Sequence, residues 1–280
     1  MRRHRRGFWA QTLLVRIPLL FIGIWTVFPM YWMLRTSLMD DKINQQVPLQ
    51  YIPWPMTLEY YQKTWRELAL GQLFANSLIV AAGSGLLALL FAFLSAYALA
   101  RYRFRLKGAL MLGLAGTQMI PVVIIIVPLF VVFSRLGIAN SLLGLIIGES
   151  ILAIPFSSLM MKQFYEQISS ELDEAAMVDG CTRLGAIFRV VMPLTLPGIV
   201  AIAIFNFINS WNAMLLPIVL ISSQDKMTLP PGLLTMKDQF VFSWGTHAAG
   251  AMVAIFPTLI MFALIQRYLI GGLSAGSVKG

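Results

Sequence analysis

Six stretches of this chain, near residues 16–36, 73–99, 109–134, 140–161, 198–221 and 246–268, are apolar over a long run. Each is long enough to cross the ~30 Å hydrocarbon layer of a bilayer as a helix rising ~1.5 Å per residue. Lipid offers no partner to a backbone N–H or C=O, so a single spanning segment has to bond to itself, as a helix does. The expected fold is an all-α integral membrane protein with six transmembrane helices in one domain, residues 1–280. Composition agrees: charged residues make up 12% of the chain, where a soluble domain carries roughly a quarter. Spans three and four are kept apart by a tight turn at Ser134-Arg135-Leu136-Gly137. Prolines inside the spans, at Pro121, Pro128, Pro155, Pro217 and Pro257, are expected to kink helices. The basic start Met1–Arg6 with its apolar run imitates a secretory signal, but the run is too long and ends in bulky Phe28–Met33, so it reads as a retained first span.

Orientation follows from lysine and arginine in alternate loops. With the N-terminus inside, 14 of them fall on the cytoplasmic side (among them Arg2, Arg3, Arg101, Arg103, Arg183 and Lys279) and 7 outside, including Arg35, Arg135, Lys226 and Lys237. Both termini are therefore expected in the cytoplasm. The net charge of +9 is spent on these flanking clusters and leaves no face for nucleic acid. Aromatic residues, including Tyr31, Trp32, Tyr102 and Trp244, fall near the same membrane–water boundaries. The largest outer loop, 37–72, is broken by Pro48, Pro53 and Pro55 and holds a short helix predicted over Glu59–Leu70.

The cytoplasmic loop 162–197 is the polar exception. Glu166, Glu171, Asp173, Glu174 and Asp179 supply five of the chain's 12 acidic residues. Ser170 followed by Asp173 predicts an N-cap with an acid in the first turn, Gly180 a stop, and Thr182 a cap for a second helix running towards Pro193. The order Glu174-Ala175-Ala176, three residues, Gly180, nine residues, Val190, one residue, Met192-Pro193 resembles the EAA loop of ABC importer permeases. Val190 and Met192 replace the usual Ile and Leu, apolar swaps of similar size. The resemblance implies that the loop couples to an ATPase through Glu174, Ala175, Ala176, Asp179, Gly180, Val190 and Pro193.

Further stretches are similar to carbohydrate importer permeases, in particular the second permease of the maltose-transporter type. They are Pro29–Leu38, Phe74–Ala81, Ser95–Arg101, Phe207–Asn212 with Pro217, and the tail Gly272–Gly280. The resemblance implies the type I ABC importer permease fold in a bacterial or archaeal inner membrane. The implied partners are a second permease, two ATP-binding cassette ATPases, an extracytoplasmic solute-binding protein and a sugar-like solute. It also implies that the tail residues Gly276, Val278, Lys279 and Gly280, polar and beyond the last span, reach the ATPase.

The chain has no Gly-x4-Gly-Lys-Ser/Thr loop with which to hydrolyse ATP itself, and no catalytic pairing of acids inside a span. Its two histidines and single cysteine, Cys181, offer no metal site and no intramolecular disulfide, and no cofactor is expected. An inverted repeat of the secondary-transporter kind is not found.

Two places inside the spans are candidates for a solute path. Asn206, Asn209 and Ser210 share one helix face at i, i+3, i+4. Such a stripe is costly in lipid, so it faces either sugar hydroxyls in a pathway or helix–helix hydrogen bonds between subunits. Glu149 is the only acid deep in a span. It can contact solute, stand protonated, or pair with the partner permease. Gly144 and Gly148 form a small-xxx-small pair suited to close helix approach. Alternative cargoes are a phosphorylated polyol or an oligopeptide, and the competing class is a secondary transporter. The charge split makes one direct prediction. An impermeant thiol reagent on intact cells should leave Cys181 unmodified and label a Ser223→Cys variant, and strong labelling of Cys181 would overturn the orientation.

Overall fold

The structure, a computed structural model, describes residues 12–66, 69–235 and 243–276. The described residues are mostly helical, with a longer irregular stretch over 45–58 and no strand among them. The helices include α1 (Ile17–Ser37), α2 (Glu59–Arg66), α3 (Leu70–Arg101), α4 (Lys107–Thr117), α5 (Val122–Arg135), α6 (Leu142–Glu166) and α7 (Glu171–Val178). There follow α8 (Arg183–Leu194), α9 (Leu196–Trp211), α10 (Leu215–Leu220), α11 (Leu229–Thr235) and α12 (Trp244–Gly276). A π turn, Thr12–Arg16, leads into α1, and another, Ile187–Val191, lies inside α8. Among the described residues four helices are long and apolar enough to cross a membrane, and six candidates arise if each of two bent pairs counts as one span.

One pair is α4 with α5 and the other is α8 with α9, bent by 79°; the expected spans are corrected at the first pair and at a separate break after α9. The third is two helices, α4 and α5, bent by 100°. Pro121 is the reason: it lacks an N–H, sits extended at φ −57°, ψ 129°, and starts α5 as its N-cap. The fifth, expected at 198–221, stops at Trp211, and α10 resumes only at Leu215 with Pro217 in its first turn. There a missing N–H costs no helical bond. Pro128, Pro155 and Pro257 stay inside continuous helices. The expected turn between spans three and four is present, with Gly137 at φ +70°. The last helix runs through Gly276, so that residue is helical, not part of a loose tail, and Val278, Lys279 and Gly280 lie outside the described residues.

The chain divides into two compact units, Met1–Leu70 with Thr235–Ile255, and Gly71–Leu234 with Phe256–Gly280. In the first, Arg35 is 1% exposed and organises the outer loop. Its Nε donates to Gln50 O at 2.8 Å and its Nη1 to Asn44 Oδ1 at 2.6 Å, while the guanidinium lies 4.8 Å from the Trp32 ring centre. Asn44 Nδ2 in turn donates to Thr36 O and Met39 O. A charge counted from sequence as a topological marker is thus a buried structural one. The helix expected over Glu59–Leu70 forms as α2, and Gly245 N donates to Asp41 Oδ1 at 2.8 Å beside the Tyr60 ring.

In the second unit the core joins α3, α6, α8 and α9 through Phe93, Tyr97, Met161, Tyr165, Val191 and Ile202. A second cluster around Val80, Phe133, Leu145, Leu216 and Leu220 joins α3, α5, α6 and α10. Of the small-xxx-small pair, Gly148 does allow close approach: a Cβ there would lie 2.8 Å from Leu216 Cδ2. Gly144 has a different role. Ser141 caps α6 by accepting from Gly144 N at 2.9 Å, and a Cβ on Gly144 would collide with Ile138 O, a backbone atom. Gly144→Ala is therefore expected to destabilise by roughly 1–3 kcal/mol. Gly113→Ala, with nothing within 4 Å of the added carbon, should leave stability unchanged or slightly raised. Thermal unfolding of both variants in the same detergent checks the difference.

Candidate functional site

The second unit contains a cavity of about 510 Å³ whose wall comes from α3, α6, α9 and the two helix breaks. Glu149 reaches it from α6, and Asn206, Asn209 and Ser210 reach it from α9. All four residues singled out from sequence therefore line one space. The breaks add what the sequence reading did not select: Gln118 from the turn before Pro121, and Asn212 with Ala213 and Met214 from the gap between α9 and α10. Unwound backbone at membrane depth persists only where protein buries it or it lines a cavity, and both breaks meet that condition. The signal in the sequence was a polar residue close to a proline or to the end of an apolar run.

Part of the polar stripe on α9 is used inside this chain, where the sequence had offered a pathway or bonds between subunits. Asn206 is 3% exposed and its Oδ1 accepts from Ser157 Oγ of α6 at 2.8 Å. Ser210 Oγ accepts from Ser84 Oγ of α3 at 2.9 Å. These two tie helices together within this chain. Asn209 is exposed and its Nδ2 donates only to Phe205 O of its own helix at 2.9 Å, so its carbonyl oxygen remains available. Asn206 Nδ2 is buried with no partner, a donor left over beside the cavity. Glu149 is partly exposed and has no hydrogen-bond partner among the described residues. The Phe156 and Phe205 rings pack on the same wall with centroids 4.7 Å apart and planes tilted by 32°, and supply an apolar face. Among the described residues the lining contains no lysine, arginine or histidine.

The polar loop folds largely as expected. α7 ends in a Schellman turn: Gly180 N donates to Met177 O at 3.1 Å, Cys181 N to Ala176 O at 3.0 Å, and Gly180 takes φ +87°. Thr182 caps α8 by accepting from Gly185 N at 3.1 Å. Ser170 is not the cap of α7. It already has helical angles, φ −65° and ψ −20°, and Ser169 Oγ accepts from Glu171 N instead. Ala176 is 7% exposed, so its small size is required by packing inside this chain. Ala175 and Glu174 are exposed, on a face with Leu172 at 42% and Val178 at 87%. Asp179 is also exposed, whereas Val190 is half-buried and Pro193 forms the last turn of α8.

The residues that seat α7 were read from sequence in other roles. Arg101, counted only as a topological charge, ends α3 and donates from Nε to Asp173 Oδ2 at 2.6 Å and from Nη1 to Ile168 O at 2.9 Å. Asp173, read as a first-turn acid, is 5% exposed. Arg183 of α8 lies over the Tyr102 ring at 5.2 Å. No group of three or more metal-ligating side chains occurs among the described residues.

Comparison with known proteins places this geometry. Residues 69–272 match the family model described as the binding-protein-dependent transport system inner membrane component. The sulfoquinovosyl glycerol transport system permease protein SmoH of Agrobacterium fabrum is 35% identical over 254 residues, 91% of this chain and 89% of the relative. The diacetylchitobiose uptake system permease protein DasC of Streptomyces coelicolor is 33% identical over 95% of this chain and 96% of its own. The trehalose transport system permease protein SugB of Mycobacterium tuberculosis is 32% identical over the full length of both. In fold, the chain superposes on a crystal structure of a bacterial ABC transporter involved in import of the acidic polysaccharide alginate, with TM-score 0.82 and 22% identity, over 95% of this chain and 98% of that one. The chain belongs to the family of inner-membrane components of binding-protein-dependent transport systems.

Proposed function

We propose that this chain is a membrane subunit of an ATP-driven importer and forms part of the path for a sugar or sugar-like solute. The observation that carries the solute class is the cavity. It presents an unpartnered carboxyl group at Glu149, amides at Asn209, Asn212 and Gln118, and an aromatic wall of Phe156 and Phe205, which together suit hydroxyls on one side and an apolar sugar face on the other. The relatives named for trehalose, diacetylchitobiose and sulfoquinovosyl glycerol support the same class. A phosphorylated polyol fits less well, because among the described residues no basic side chain lines the cavity. The family match sets aside a secondary transporter.

On this reading the chain crosses a bacterial or archaeal inner membrane six times, with each bent pair counted as one crossing and both termini in the cytoplasm. It pairs with a second permease, receives solute from an extracytoplasmic binding protein, and leaves ATP hydrolysis to two ATPase subunits. The loop helix α7 docks on an ATPase through its exposed side, Glu174, Ala175 and Asp179, with Gly180 turning the chain behind it. Val190 and Pro193 shape α8 behind that turn. Ala176 supports the docking face from inside. The tail residues Gly276, Val278, Lys279 and Gly280 are proposed to approach the same ATPase.

Two variants separate the two halves of the proposal. Ala175→Trp adds bulk at an exposed site of α7 and is expected to lose the co-purifying ATPase together with uptake, each by roughly tenfold, a cost of about 1.4 kcal/mol. Glu149→Leu removes the cavity acceptor and is expected to keep the ATPase while lowering uptake by about tenfold or more, the scale of one hydrogen bond to a charged group. Wild-type uptake in Glu149→Leu would overturn the role of the cavity, and an unchanged complex and uptake in Ala175→Trp would overturn the docking face.

A further inference from the structure

We infer that the Arg101–Asp173 pair is the joint through which movement of the cavity wall reaches the exposed face of α7. This rests on the proposed importer reading for what α7 contacts, while the joint itself is a matter of this chain alone.

α3 is one unbroken helix of 32 residues with no proline, from Leu70 to Arg101. Its middle is cavity wall, where Ser84 donates to Ser210. Its last residue is Arg101, 17 residues further on by the numbering. At ~1.5 Å per residue the two are about 26 Å apart along one rod. Rigid elements of this kind carry displacement between distant sites. By contrast, α7 has 8 residues and is too short to hold itself together in water. Its placement has to come from what grips it, and Arg101 does so at two points, the carboxylate inside α7 and the Ile168 carbonyl on the segment entering it. The side chains are 9% and 7% exposed, so water does not compete freely for the bond. The gripped face of α7 is opposite the one that carries Ala175 and Val178.

The bonding pattern suits a joint better than a fixed weld. Arg101 Nη2 and Asp173 Oδ1 are both buried and without partners. Arginine and carboxylate pair most strongly as two parallel N–H···O bonds, and closing that fork would satisfy both leftover atoms at once. The pair thus has a second, fuller bonding arrangement within reach of a small rotation of α7. Simple retention of α7 would be served as well by an apolar plug, since buried ion pairs are often no more stabilising than hydrophobic replacements. What an ion pair adds is direction. Arg101 and Asp173 are accordingly positioning residues.

The test uses the complete importer, reconstituted in lipid with its ATPases and binding protein, and reads ATP hydrolysis with and without that protein. Asp173→Asn and Arg101→Met are expected to keep basal hydrolysis within about twofold of wild type and to lose roughly tenfold of the stimulation by the binding protein. The exchanged variant Arg101→Asp with Asp173→Arg should regain part of it. An equal fall in basal and stimulated hydrolysis would mark a purely structural pair and overturn the inference, as would full stimulation in both single variants. If the single variants shed the ATPase, Asp173→Glu decides: it keeps the charge and shifts α7 by one methylene, so altered stimulation of an intact complex supports the joint and wild-type stimulation overturns it. Hydrogen exchange over residues 169–181 in the isolated chain separates this from failure of the importer reading. Faster exchange by about tenfold in Arg101→Met is expected whatever the partner is, and unchanged exchange overturns the joint.

Discussion

A backbone inside lipid has to find all of its hydrogen bonds within the protein, and the arrangement of the second unit follows from that constraint. Where its helices run without interruption, as in α3 and α6, the bonds are internal and the helix behaves as a rod. Where they break, side chains and the cavity take over. Asn76 Nδ2 donates to Asp225 O at 2.8 Å and to Met227 O at 2.9 Å, and Asn140 Oδ1 accepts from Ser222 N and Ser223 N, each at 3.1 Å. A buried amide, Asn76, and a half-buried one, Asn140, thus hold the irregular stretch that follows α10. The breaks at Gln118–Pro121 and Asn212–Met214 instead open on the cavity, so the same constraint that makes the spans helical decides where they stop being so.

The cavity and the loop are linked by packing as well as by the Arg101 contacts. Tyr165 of α6 packs edge-on against Tyr97 of α3 at 5.7 Å and also against Phe93, and its hydroxyl donates to Phe93 O at 3.3 Å. Ile187 and Val191 of α8 enter the same cluster. The loop therefore stands on the ends of the spans as a packed extension of the core. Removing one partner of a buried ion pair can cost about 3–5 kcal/mol, because the other charge is left stranded. On that scale Arg101–Asp173 weighs as much as any single contact between α3 and the loop.

The polar groups near the cavity have unequal duties. Ser157 with Asn206 and Ser84 with Ser210 join helices, while Glu149 and the Asn209 carbonyl have no hydrogen-bond partner among the described residues. Hydrogen bonds between membrane helices are worth only about 0.6–2 kcal/mol each. The joined pairs therefore contribute more to fixing the register of α3, α6 and α9 than to stability. A fixed register is what keeps the remaining acceptors at set positions.

The sequence by itself determined the class of fold, the positions of the long helices and the polar loop, since each depends on local properties: length of apolar run, caps and glycine. Thr182, Gly180 and the turn at Gly137 do in the structure what their chemistry requires. Glu149, Asn206, Asn209 and Ser210 were legible because a polar side chain in an apolar run needs a partner, whatever the fold. Only the tertiary structure decided which partner. It gave Asn206 and Ser210 to helix contacts, and it buried Arg35 and Arg101, which the sequence offered merely as charges beside spans. It also turned Ala176 inward and Ala175 outward, a distinction two adjacent alanines cannot express. The physical reason is common to all of these. A periodic pattern records that a residue must be covered or paired, and what covers it comes from segments far away in the chain, such as Asp173 for Arg101 and Ser84 for Ser210.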